Sequence, residues 1–110
     1  MLKSEKLEDQ AMLIIANAGA SRGEAFEALQ FARQKRFDTA SEKMQSAREH
    51  SNKAHDAHRV LLKMDAKGEV EQLDLLLTHA QDHLMCAALA MELIGELVEL
   101  RQELSKKDSI

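Results

Sequence analysis

The stretch Thr78-His79-Ala80-Gln81-Asp82-His83-Leu84-Met85 sets two imidazoles and a carboxylate within the most apolar segment of a 110-residue chain. On a helix each residue turns by about 100°, so His79, Asp82 and His83 fall within about 100° of one another and share a face. On the same wheel Leu75, Leu76, Cys86, Leu89, Ala90, Leu93, Ile94 and Leu97 surround them. Leu73, Leu77, Leu84, Ala88, Met91 and Val98 carry the apolar arc further. The arc covers roughly two-thirds of the circumference, whereas a helix covering one core needs a stripe of only ~100°. Such a helix calls for more neighbours than a small monomer supplies. A charge inside the arc is costly unless it is paired, metal-bound or neutralised. Asp82 and the histidines therefore belong either to the rim of a core or to a reactive site, and spacing alone leaves both open.

Outward from this stretch, the composition favours helix throughout. The chain has no Pro, Trp or Tyr and only four Gly, and its Ala, Leu, Glu, Lys, Gln and Met are good helix formers. Its length suits one domain with one core. A net charge of −4 argues against a nucleic-acid surface, because phosphate binding needs clustered cations. Arg33, Lys35 and Arg36 are the tight basic group outside the tail and read as a solvated turn. The longest mostly apolar runs, such as Cys86–Met91, fall far short of the ~20 residues that span a bilayer, so no direct membrane insertion is expected. The charged N-terminus does not resemble a secretory signal. One cysteine, Cys86, forms no intrachain disulfide, and a cytoplasmic location fits best.

Periodicity predicts three helices, at about 4–34, 37–66 and 70–104. In the first, Leu7, Ala11, Ile14, Ile15, Ala18, Phe26 and Leu29 recur at helical spacing. Gly19 and Gly23 mark a bend, a tight helix packing or a close approach by a ligand, with tight packing preferred. The second carries a regular seam of Phe37, Ala40, Met44, Ala47, Ser51, Ala54, His58, Leu61 and Asp65 in steps of three and four. His50, His55 and His58 fall on different parts of that wheel, so a dedicated metal site there is disfavoured. Gly68 follows as a helix stop, and 105–110 is expected to fray. Short connections imply an all-α, antiparallel, up-down-up three-helix bundle.

Three chemistries fit the central stretch. His79 and His83, at i and i+4, have the spacing of a zinc pair, but Ala80 replaces the glutamate of a His-Glu-x-x-His protease and no third ligand is evident. Alternatively, His79 is a nucleophile that carries a phosphoryl group while His83 helps to position it, since phosphoryl transfer asks mainly for positioning and charge stabilisation. With a helix starting near Val70, His79 stands about two turns inside, where the helix dipole has faded. Thirdly, the chain is a non-catalytic oligomeric scaffold or regulatory interaction protein whose polar layer fixes register. If the helix packs about a symmetry axis, the Asp82 carboxylates converge and require a shared proton or a hard cation such as Mg²⁺.

Thr78-His79-Ala80-Gln81-Asp82-His83-Leu84-Met85, followed by Glu92-Leu93-Ile94-Gly95-Glu96-Leu97-Val98-Glu99-Leu100, resembles the signature of the lactose/cellobiose-family IIA component of the bacterial phosphoenolpyruvate-dependent sugar phosphotransferase system. Ala18-Gly19-Ala20-Ser21-Arg22, Phe37 and Ala54-His55 extend the likeness over nearly the whole chain, closest to the cellobiose and diacetylchitobiose type. The resemblance implies a homotrimer of nine helices. It implies that His79 takes a phosphoryl group from phospho-HPr and passes it to a cysteine of a IIB component, in the uptake of a β-linked disaccharide such as cellobiose, diacetylchitobiose or lactose. It places Gln81 and His83 near the phosphorylated ring, and one Mg²⁺ per trimer on Asp82 of three subunits. Two positions depart from the pattern: His58 stands where a Gln is expected, and Lys35 where a Gly is common.

Overall fold

The structure, a computed structural model, describes residues 3–108. Within them the chain forms α1 (Lys3–Arg33), α2 (Phe37–Ala66) and α3 (Leu75–Asp108), and no strand. They make an up-down-up rod of 61 × 19 × 18 Å. The first packs extensively against both others, while α2 and α3 touch each other least.

Alanine lines most of the core. At one end Ala11, Ile14 and Ala18 meet Ala54, Ala57 and Leu61 and, from α3, Leu77, Ala80, Leu84 and Ala87. At the other Ala25, Ala28 and Ala32 meet Ala40, Met44 and Ala47 with Ile94 and Val98. The same grouping shows that α1 and α3 run in one direction. On α2 the predicted seam holds from Ala40 through Ala54 and then steps back by one residue, to Ala57 in place of His58 and, past Leu61, to Met64 in place of Asp65, which keeps the repeat close to the 3.5 of helices that wrap round one another. On α1 the large residues mislead. Phe26 is 46% exposed while Ala25 and Ala28 are fully buried, because small side chains let helices approach closely.

Three expectations need correction. The third helix starts at Leu75 rather than near Val70. Asp74 caps it: its Oδ1 accepts the Leu77 N–H at 2.8 Å, and its carbonyl accepts the Thr78 N–H at 3.0 Å, the bonds of an N-cap. The far end does not fray where expected. Helix continues to Asp108, with Lys106 and Lys107 in the last turn to complement the dipole; residues 109 and 110 lie outside the described residues. Gly19 and Gly23 pack against nothing in their own chain, since a Cβ at either would meet no atom within 4 Å. Both connections use one device. Arg36 N–H reaches Phe31 C=O and Lys35 N–H reaches Ala32 C=O, and Glu69 and Gly68 repeat this on Met64 and Asp65. This pair of bonds calls for a left-handed residue. Gly68 (φ 75°) supplies it freely, and Lys35 (φ 60°) does so under strain.

Candidate functional site

The cap at Asp74 makes His79 the fifth residue of α3, closer to the helix start than the sequence implied. A helical side chain leans back over the preceding turn, so the imidazole lies toward the positive end of the dipole, which favours an anion there. His79 is exposed and His83 half-buried. Their rings meet edge to face, with centroids 4.4 Å apart and planes at 83°. Among the described residues neither imidazole has a hydrogen bond or ion pair. The pair is therefore oriented by its own contact and remains open to solvent chemistry.

Gln81 does not join them within one chain. It turns by about 200° from His79 and faces α2, where with His58, Leu61, Asp65, Val70 and Leu77 it lines a cavity of about 300 Å³. Burial, and then the nearby His55, push the His58 imidazole below its ordinary value. His50 is engaged differently. Its Nδ1 lies against Glu24 Oε1 and 3.2 Å from the Ser46 carbonyl, while Ser46 Oγ donates to Glu24 Oε2. Glu24 Oε1 is buried and takes no hydrogen bond, so the His50 contact has the closeness of an ion pair without hydrogen-bond alignment. Sequence reasoning missed Glu24, because a lone glutamate on a helical wheel carries no sign of its partners.

Asp82 is exposed, its Oδ1 3.8 Å from the Cys86 Sγ. Among the described residues no three His, Cys, Asp or Glu side chains gather to hold a metal. A hard cation takes six or so oxygen ligands, so one chain offers too little. Asp82 does stand on an outward seam with Cys86, Leu89, Leu93, Leu97, Leu100 and Leu104, the leucines 45–59% exposed. Steps of three and four along it are the spacing of helix pairing, and an apolar strip of this length marks an interaction face. Three copies meeting along that seam would bring three carboxylates together, and a cation fits on those terms. No helix among the described residues is long and apolar enough to cross a membrane.

Comparison with known proteins follows the same lines. The profile of the family described as "PTS system, Lactose/Cellobiose specific IIA subunit" matches residues 9–102. The N,N'-diacetylchitobiose-specific EIIA component of Escherichia coli K12 is 41% identical over 102 residues, 93% of this chain and 88% of that one. Among solved structures, the cellobiose-specific enzyme IIA of Bacillus anthracis superposes with a TM-score of 0.85 at 40% identity, over 97% of this chain and 95% of that one. The IIA(Chitobiose) in complex with HPr, from the Escherichia coli phosphotransferase system, gives a TM-score of 0.70 at 37% identity, over 90% and 96%. With residues 9–102 matched by the family's profile and nearly the whole chain aligned to these relatives, the chain belongs to the lactose/cellobiose-specific IIA family of the phosphotransferase system.

Proposed function

We propose that this IIA component is a phosphocarrier whose His79 accepts a phosphoryl group from phosphohistidine of HPr and hands it to a cysteine of a IIB component. The observation that supports it most is the exposed, unengaged His79 ring one turn from the start of α3, braced edge-on by His83. In the first step the donor P–N bond breaks as a P–N bond forms on His79. The proton given up by the His79 ring is matched by one taken up on the departing donor ring. In the second step the thiolate of the IIB cysteine takes the phosphorus and His79 recovers its proton. The sugar class is that of the relatives, a β-linked disaccharide of the cellobiose, diacetylchitobiose or lactose kind, and the site of action is the cytoplasm.

The working unit is a homotrimer closed along the α3 seam. This accounts for Gln81: turned away from His79 of its own chain, it lies on the flank that a ring of three presents to the next copy's His79. Asp82 from three subunits would hold one Mg²⁺, which supplies charge neutralisation at the axis and stands outside the transfer itself. Incubation with phosphoenolpyruvate, enzyme I and HPr should give an acid-labile phosphoryl adduct on the wild type and none on His79→Ala; a label that survives the substitution removes His79 from this role. Asp82→Leu should leave the trimer intact or tighten it, since replacing a cluster of buried charges by hydrophobes is often neutral or stabilising. Sedimentation with and without chelator checks this, and a trimer indifferent to chelator makes the cation dispensable.

A further inference from the structure

Two unpartnered surfaces on opposite flanks of the seam stand at one level. On α1, Ser21 points toward α3, its Oγ 3.7 Å from Met91 Sδ. Glu24 and Glu27 reach α2, at Ser46 and Lys43. Relative to Ser21 they turn one way, while Arg22 and Phe26 turn the other way by about 100° and 140°. Phe26 therefore projects beside α3, away from α2, with the Arg22 guanidinium carbon 5.2 Å from its ring centre. Gly19 and Gly23 lie on the same side of α1, and a Cβ at either would meet no described atom within 4 Å, which leaves this side of the helix open to close approach.

The second surface is a groove between α2 and α3 of about 540 Å³. Met44, Leu89, Met91 and Leu93 give it apolar walls, and Glu92 and Glu96 are at its lip. Arg48 also lines it, but donates to Gln45 at 3.0 Å. Among the described residues neither glutamate has an ion pair. The groove is thus apolar inside and acidic at the edge, the complement of an aromatic ring carrying a guanidinium.

One register aligns the two. Helices α1 and α3 run in parallel and Ser21 is level with Met91, so Arg22 is level with Glu92, Phe26 with Glu96 and Arg33 with Glu103. Rotation about an axis along the seam, without translation, closes a ring and keeps those levels. It also turns the α1 flank of one copy toward the α2 flank of the next.

We propose that Phe26, capped by Arg22, inserts into the α2–α3 groove of a second copy of this chain, where Arg22 pairs with Glu92. The proposal rests on the trimeric reading above and names the contact that sets its register. A buried aromatic backed by an arginine is the kind of group that dominates association. Arginine also stacks and pairs at once, which lysine does poorly.

Sedimentation of the full chain tests it with wild type, Phe26→Ala, Arg22→Glu, Glu92→Arg and the double exchange. Phe26→Ala should weaken association by roughly thirtyfold or more, with helix content by circular dichroism unchanged because the residue is half-exposed in the subunit. Arg22→Glu should weaken it too, and adding Glu92→Arg should restore much of the loss. A wild-type trimer matched in affinity by both Phe26→Ala and Arg22→Glu overturns the docking and leaves the trimer standing. A double exchange no tighter than its single parents overturns the pairing. A wild type that stays monomeric at every concentration removes the trimer and this contact together.

Discussion

His79 on α3 and His50 on α2 are the same residue type in opposite circumstances. His50 is wedged against Glu24 and the Ser46 carbonyl in the α1–α2 interface. His79 is exposed, its ring set edge-on to the His83 imidazole, and among the described residues it has no hydrogen bond or ion pair. An imidazole engaged by a carboxylate spends its proton chemistry on holding two helices together, whereas an unengaged one is available to a substrate. The difference teaches that the histidine proposed to carry the phosphoryl group stands apart by what it lacks. His58 stands between the extremes, walled into a cavity yet without a charged partner of opposite sign among the causes of its shift.

That contrast is open to attack in order of size. His79→Gln should abolish the acid-labile adduct while leaving the melting temperature nearly unchanged, read by phosphorylation and calorimetry on one sample; a large loss of stability would mean that His79 is structural after all. His50→Ala should do the reverse. It leaves Glu24 half-satisfied in the α1–α2 interface, at a cost of about 1 kcal/mol given the pair's partial exposure, and phosphorylation should proceed at the wild-type rate. Denaturant midpoints would collapse the comparison if they showed no change. The smallest effect belongs to His58. Its folded-state proton affinity lies below the unfolded value, so the unfolded chain binds the proton more strongly. Stability is then fully present above pH ~6.5 and falls as the pH drops below it. His55 lies near the same imidazole, and Asp65 and Glu71 line its cavity. His58→Gln should flatten the melting-temperature slope between neutral and mildly acidic pH, and an unchanged slope would assign it elsewhere.

Much of this was legible in the sequence where periodicity and residue size agree. The α2 seam as far as Ala54 and the first connection follow from spacing, Gly68 marks the end of α2, and the apolar excess of α3 already signalled an outward seam. The rest failed where local chemistry overrides the wheel. Asp74 is one polar residue inside an apolar run, and its role as a cap appears only when the Leu77 N–H is seen to reach it. Phe26 resembles core by type and is displaced from it by alanines. His79 was legible by motif, but its distance from the helix start was not, because that distance depends on the cap. Gln81 was placed beside His79 by likeness, while the geometry of a single chain puts it on the other flank.

The alanine lining has a consequence for how this protein should be handled. Among the described residues only Ile14 and Leu84 of the large side chains are wholly enclosed, so an isolated rod withdraws little grease from water and leaves its leucines for the sister rods of the proposed trimer to cover. Heating and dilution then become interchangeable ways of taking it apart. Its transition should shift upward with every increase in protein concentration, and a melting point quoted without one describes only a particular sample.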